Sequence, residues 1–477
     1  MDKTYRNYID GQWVEGNGKT IDVLNPATDK RIASVPDASV DDVNRAVAAA
    51  KKAQPAWERM PAIQRANHLR AISAKIRANA ERLARTIVLE QGKVPELAAV
   101  EIEFTASYMD YMAEWARRIE GEIVSSDRPG EQILVFRRPI GVVAGILPWN
   151  FPFFLIARKL APALVTGNTI VIKPSEETPI NAFDFAELVA ETDLPPGVFN
   201  LVCGGRETGA TLTGNKDVGM VSFTGSGDTG MRIMAACSKN LTRVNLELGG
   251  KAPAIVLNDC DLELTANALF NSRVLNTGQA CNAAERVYVE RGIADALAEK
   301  VTGLMKGTKY GDPSIEKGLH MGPLVTKAGR DNMAAMVEAA KGQGAQVLTG
   351  GRIADKPGYH YEPTVLLGCN SGMDVMTKEV FGPVLPMQVV EDLDEALVHA
   401  NNSDYGLTSS IFTRDLNAAM KAVRELRFGE TYINREHFEA MQGYHAGRRK
   451  SGIGGADGKH GLYEHMETQV VYMQTAG

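Results

Sequence analysis

Gly141-Val142-Val143-Ala144-Gly145-Ile146-Leu147-Pro148-Trp149-Asn150 opens the stretch that decides the fold. A short apolar run, 142–147, reads as a strand that stops at a proline. An apolar segment of helical length, 153–166, follows, and Thr169-Ile170-Val171-Ile172-Lys173 is a second strand. The alternation continues with a helix at 180–191, a strand at 199–203 and a helix at 207–213. A strand at 219–223, a helix at 229–238 and a strand at 243–246 complete it. Short alternating elements of this kind predict an α/β fold with a parallel, doubly wound sheet. A second α/β series runs from Ala252 to about Arg427, with no low-complexity linker between the two. Two closely packed domains are therefore expected.

Outward from this centre, Asn7-Tyr8-Ile9-Asp10-Gly11-Gln12-Trp13-Val14 reads as short strands and turns within 5–25. Ser39-Val40-Asp41-Asp42 has the form of a capping box, and an alanine-rich helix follows to about Gln54. A second helix starts near Pro61, with Leu69, Ile72, Ile76, Leu83 and Ile87 at three- and four-residue spacings. A third covers about 95–121, its proline suited to the first turn. Residues 123–138 differ, because two β-rich runs flank Asp127-Arg128-Pro129-Gly130 and predict a hairpin leaving the domain body. Thr468-Gln469-Val470-Val471-Tyr472-Met473 is a further strand. Its apolar edge either pairs with another subunit or tucks onto its own domain.

Composition sets limits on function. The chain has 477 residues, 44% of them hydrophobic, enough to bury more than one core. A formal net charge of −6 offers no global attraction for nucleic acid or an anionic membrane. Arg448-Arg449-Lys450 reads as a solvated loop. The 5 cysteines, odd in number and widely spaced, fit a reducing cytosol better than a disulfide framework or a zinc site. The 8 histidines are scattered, and no metal is expected. The polar N-terminus is unlike a signal peptide, and Pro148, Pro152, Arg158, Lys159, Pro162 and Gly167 interrupt the most apolar region. No membrane span and a cytoplasmic location are expected.

Five stretches carry possible chemistry. Asn276-Thr277-Gly278-Gln279-Ala280-Cys281-Asn282 puts a cysteine in a small polar loop beside groups able to hydrogen-bond a thiolate or an oxyanion. Alone, such a cysteine reads first as a structural thiol, and the other stretches reverse that reading. Leu246-Glu247-Leu248-Gly249-Gly250 ends a strand with a carboxylate, aimed into a cleft or bound to a sugar. Pro148-Trp149-Asn150-Phe151-Pro152 constrains an amide that suits an oxyanion donor or a turn asparagine. Lys173-Pro174-Ser175-Glu176 sets a cation and an anion three residues apart, fit for two ribose hydroxyls or a surface ion pair. An acid there would repel a 2′-phosphate, which favours NAD over NADP. Gly225-Ser226-Gly227-Asp228-Thr229-Gly230 follows a strand and opens a helix, so its N–H groups could cradle a pyrophosphate.

Together these stretches, with Glu379-Val380-Phe381-Gly382-Pro383, resemble the NAD(P)-dependent aldehyde dehydrogenase superfamily over nearly the whole chain. The resemblance implies Cys281 as nucleophile, Glu247 as general base and Asn150 as oxyanion donor. It implies cofactor contacts from Leu147, Trp149, Lys173, Ser175, Glu176, Gly225, Ser226, Leu248, Glu379 and Phe381. Lys378 stands where the family often has a second acid. The implied architecture is a dinucleotide-binding domain (1–122 and 139–250), a catalytic domain (251–450) and an oligomerisation arm (123–138 and 451–477). A homotetramer or homodimer follows.

For the substrate, the loop after Tyr432-Ile433-Asn434 is polar, with Glu439, Gln442 and His445, and Asn282 follows the cysteine. This set looks most like that of bacterial lactaldehyde dehydrogenases and implies a small hydroxyaldehyde, lactaldehyde or glycolaldehyde. Alternatively, Glu439 and His445 face solvent. Arg158 keeps succinic semialdehyde as the second substrate, since succinate-semialdehyde dehydrogenases bind a carboxylate with an arginine at this place. No aromatic cluster that would cage a quaternary ammonium is expected near Cys281.

Overall fold

The computed structural model describes residues 3–16 and 19–475. The outermost parts of the expected first and last segments (1–2 and 476–477), and residues 17–18 among the early strands, lie outside it.

The alternating apolar runs build two large sheets among the described residues. The first has eight strands in the order Gly452–Ile453, Arg243–Leu248, Met220–Gly225, Val142–Ile146, Thr169–Lys173, Phe199–Leu201, Asn7–Ile9 and Gln12–Val14. Its five central strands are mutually parallel, and the edge strands pair antiparallel. Strand order reverses beside Val142–Ile146, whose neighbours are Thr169–Lys173 on one side and Met220–Gly225 on the other. Doubly wound sheets bind ligands at this switch point, outside the carboxyl ends of the strands.

The second sheet runs Gln346–Thr349, Thr364–Leu367, Val384–Val390, Ala284–Glu290, Ala252–Val256, Thr408–Phe412, Glu430–Ile433. Its strands are parallel except at the Gln346–Thr349 edge. The chain passes from Arg243–Leu248 to Ala252–Val256 through three residues. The carboxyl ends of the first sheet therefore face the amino ends of the second, and the cleft lies between them.

Several expected helices differ in extent. Ser39 does form a capping box with Asp42, but the first helix, Val40–Arg59, runs past Gln54 because Pro55 sits on its exposed side. The expected second helix is two, Ala62–Ala78 and Ala80–Gln91. Asn79 leaves helical geometry (φ −117°) and donates its side-chain amide to the Lys75 carbonyl at 2.9 Å. The third is Pro95–Glu114, followed by one 3₁₀ turn. No helix among the described residues is long and apolar enough to cross a membrane.

The hairpin Glu122–Ser125/Glu131–Pro139 pairs with Met466–Gln474 of the same chain into a three-stranded sheet. Both faces carry exposed apolar side chains: Ile123, 79% exposed, lies on one and Tyr472, 67% exposed, on the other. The residues before that last strand belong to the body, since Gly452–Ile453 pairs with the first sheet and the helix Gly458–Glu464 packs against Phe154–Thr166.

Candidate active site

Cys203, Cys237, Cys260 and Cys369 are buried, whereas Cys281 is partly exposed at the cleft. Its loop is bent by left-handed backbone at Asn276 (φ 49°) and Thr277 (φ 59°). Such geometry costs on the order of 1–3 kcal/mol per non-glycine residue and persists only where neighbours enforce it. Here they do. Gln91 donates to the Asn276 side-chain oxygen at 3.0 Å, and the Asn276 amide donates to the Asn150 and Gln279 carbonyls at 2.9 and 3.1 Å. Thr277 donates to the Gly322 carbonyl at 3.1 Å, and Gln279 accepts from the Val325 N–H at 2.9 Å. A Cβ on Gly278 would meet the Gly382 carbonyl at 2.3 Å, so only glycine fits. The polar residues before Cys281, read in the sequence as partners for a thiolate, are thus engaged in fixing the loop.

Asn150 sits beyond the strand Val142–Ile146 at the switch point. A fully buried ion pair holds its turn: Lys93 donates to the Glu101 carboxylate at 2.5 Å and to the Asn150 carbonyl at 2.9 Å. Glu101 also accepts from the N–H groups of Phe153 and Phe154 at 2.9 and 3.1 Å. The Asn150 side-chain amide spends one N–H on the Gln279 carbonyl (3.2 Å) and keeps the other. Nothing local in the sequence marked Lys93 or Glu101, whose contacts to Asn150 and Phe153 span 57 and 52 residues.

Glu247 is the penultimate residue of the strand Arg243–Leu248, and neither buried oxygen has a hydrogen-bond partner. Burial pushes its carboxyl up to about 7 against the pull of His445, Arg158 and Lys159. His445 Nε2 lies 3.6 Å from Glu247, and the ring lines the same cavity as Cys281. The expected substrate residues converge here. Asn282 donates to Glu439, which accepts from Arg158 at 2.8 Å, while Arg158 also pairs with Asp457 at 2.5 Å. Burial pushes the Glu439 carboxyl up, but His445 and then Arg158 outweigh it and hold it at about 2. Glu439 and His445 therefore do not face solvent: His445 is 2% exposed and the Glu439 side chain 16%. Lys159, not singled out in the sequence, is buried against Ser222 at 3.1 Å, and burial lowers its amine to about 7 despite Glu247.

On the other side, Trp149, Gly225, Ser226, Leu248, Glu379 and Phe381 line the same cavity as Cys281 and Glu247. Ser226 caps the helix Gly227–Cys237. Glu379 accepts from the Gly250 N–H at 2.8 Å, and burial, with Glu285 adding, pushes its carboxyl up to about 7. The Phe381 and Trp149 rings meet edge-to-face at 5.4 Å. Lys173 and Glu176, 3.5 Å apart, stand at the end of the adjacent strand outside that cavity. Ser175 accepts from the Glu177 N–H at 3.3 Å. The Leu147 side chain packs in the core, which leaves only its backbone toward the cleft. Lys378 pairs with Asp374 at the surface.

The residues matched by the model of the aldehyde dehydrogenase family are 13–471. This chain belongs to that family. The expected fold and family both hold. Lactaldehyde dehydrogenase of Escherichia coli K12 is 57% identical over 470 residues, 98% of each chain. A crystal structure of the E. coli lactaldehyde dehydrogenase superposes with a TM-score of 0.98 over the full length of both. Betaine aldehyde dehydrogenase of Staphylococcus aureus, solved in complex with NAD⁺, is 35% identical with a TM-score of 0.96 over 99% of this chain and 95% of that one. The succinate-semialdehyde dehydrogenase GabD of E. coli K12 is 35% identical over 461 residues, 96% of this chain and 95% of its own.

One expectation about this family member fails. Phe104, Phe154 and Phe438 do form an aromatic cluster at the cavity, with ring centroids 4.7 Å (Phe104–Phe154) and 5.9 Å (Phe104–Phe438) apart. They come from three distant segments, so no local run of aromatics signals them. The cation over the Phe154 face, at 4.9 Å, is the protein's own Arg158.

Proposed function

We propose that this aldehyde dehydrogenase oxidises a small hydroxyaldehyde, lactaldehyde or glycolaldehyde, to its acid with NAD. The observation that carries this reading is the buried polar ring Asn282–Glu439–Arg158–His445 beside Cys281. Polar groups in a closed site favour a ligand whose hydroxyl pairs with them. The E. coli lactaldehyde dehydrogenase at 57% identity supports it. Against succinic semialdehyde, the Arg158 charge already meets Asp457 and Glu439, leaving no free cation for a second carboxylate.

The cleft suits a dinucleotide. Backbone at Gly227 is open, a Cβ there having no neighbour nearer than 3.9 Å, and the capped helix start of Ser226 offers N–H groups to phosphate. Lys173 and Glu176 would hold the adenosine ribose, and Glu379 and Phe381 the nicotinamide half. When bound, NAD supplies the hydride acceptor. Cys281 attacks the aldehyde carbon, and the free N–H of Asn150 with the Cys281 N–H receives the oxyanion. After the carbon loses hydride, a thioester remains on Cys281. Glu247 takes a proton from water, which displaces the sulfur and releases the acid.

In this reading residues 1–122 with 139–250 form the dinucleotide-binding domain, which also lends Asn150 and Glu247 to the reaction, 251–450 form the catalytic domain with the nucleophile, and the three-stranded sheet is an assembly arm in a cytoplasmic dimer or tetramer. NADH formation with L-lactaldehyde, glycolaldehyde and succinic semialdehyde tests the substrate. Faster turnover of the two hydroxyaldehydes is expected, and preference for succinic semialdehyde overturns the assignment. Glu176→Gln removes the acid that would oppose a 2′-phosphate, so the NAD-to-NADP ratio of kcat/KM should narrow by about tenfold. An unchanged ratio removes Glu176 from cofactor selection.

A further inference from the structure

The strand Glu430–Ile433 begins directly behind His445. Glu430 Oε1 lies 2.5 Å from His445 Nδ1, and its other oxygen accepts from the Tyr432 hydroxyl. The ring's opposite nitrogen, Nε2, is the one 3.6 Å from Glu247. His445 is closed off from water, and its backbone is fastened to Ala456 by N–H to carbonyl bonds of 3.0 and 2.8 Å in both directions. Glu430 is thus a carboxylate locked by one neighbour and spent on one imidazole nitrogen, with the other nitrogen facing the reacting residues.

We propose that Glu430 is a positioning residue that holds His445 by Nδ1 and so presents Nε2 to the Cys281 sulfur. The inference rests on Cys281 being the nucleophile. With Nδ1–H donated to Glu430, the ring's second nitrogen can take the thiol proton. Cys281 then becomes a thiolate and His445 an imidazolium, with no net change in charge. The groups facing His445 favour that state. Glu430 approaches from its strand, Glu439 from the loop after it, Glu247 from the end of Arg243–Leu248 and Asp457 from the turn before Gly458–Glu464. Arg158 and Lys159 act in the other direction, but Arg158 is paired with Glu439 and Asp457, and Lys159 is drawn to Glu247 and Asp457. Burial alone would push the ring toward neutrality, but Glu439, Glu430 and the Cys281 contact outweigh it and raise His445 well above its ordinary value.

Cysteine elsewhere needs about pH 8.5 to ionise, and a neighbouring imidazolium lowers that value. No local pattern signals this relay, because Glu430 and His445 are 15 residues apart on either side of a loop.

The test is the pH dependence of iodoacetamide alkylation of the intact protein, in the absence of aldehyde. Wild-type reaction should already be fast near pH 7. Glu430→Gln, which keeps the shape and removes the charge, should move the alkylation profile upward by about one pH unit, a roughly tenfold slower reaction at pH 7. Glu430→Asp should recover part of the shift, and Tyr432→Phe should give a smaller shift in the same direction. A Glu430→Gln profile superimposed on wild type overturns the proposal. Should Glu430→Gln fail to fold, the other two variants decide: wild-type profiles from both overturn it as well. Cys281→Ala must lose the fast labelling. If peptide mapping finds the fast thiol elsewhere, the nucleophile assignment falls, an outcome distinct from an unmoved profile.

Discussion

Cys281→Ala should form no NADH from any aldehyde, a loss on the order of 10⁶-fold, the scale seen when a covalent nucleophile is removed. The size follows from what the site contains. Asn150 and the backbone N–H can stabilise an oxyanion only after something has added to the carbonyl. The other four cysteines are buried and cannot substitute. The loop geometry does not depend on the sulfur, because Asn276, Thr277 and Gln279 fix the turn through their own hydrogen bonds. The variant should therefore fold and still bind NADH with wild-type affinity, measured by fluorescence titration. Retained turnover would dismiss the covalent mechanism.

Glu247→Gln should slow deacylation by roughly 10²–10⁴-fold, the usual contribution of a general base. A burst of NADH, one per site, should precede a slow steady state, since acylation does not use this carboxylate. The pH dependence carries a sign that can be checked. Burial pushes the Glu247 carboxyl up to about 7, and only its deprotonated form accepts a proton from water. Wild-type deacylation should accordingly rise as pH increases through 7 and level off above it. The variant should lose that limb. Rapid-mixing absorbance at several pH values measures both, and a variant with the wild-type rise would assign the base elsewhere.

How far the sequence reaches can be judged from particular residues. Asn150 and Glu247 could be singled out from local chemistry, the first by its flanking prolines and the second by the glycines that follow its strand, whereas Glu379 entered only through the family resemblance. Cys281 stood out only when its loop was read together with the other stretches, and the left-handed bend at Thr277 was not legible, since a β-branched residue gives no warning of positive φ. The partners that aim these groups come from far away. Asp457 reaches Arg158 across 299 residues, and Lys93 reaches Asn150 across 57. Such contacts depend on how helices and loops dock, which no local pattern records. The helix limits near Pro55 and Asn79 were missed for another reason: an exposed proline is tolerated inside a helix, and a single asparagine can end one.

Gly249, Gly250 and Lys251 are all that separates the strand ending in Glu247 and Leu248 from the first strand of the second sheet. A Cβ on Gly249 would stand 2.3 Å from the Glu379 carboxylate, and one on Gly250 would stand 2.9 Å from the Cys281 carbonyl. The proposed base thus hangs from one layer and the nucleophile loop leads into the other, with the join wedged between them. During refolding, a chain could recover all of its helices and strands and remain inert until the two layers seat. Turnover, rather than helix content, is the signal that marks the end of folding.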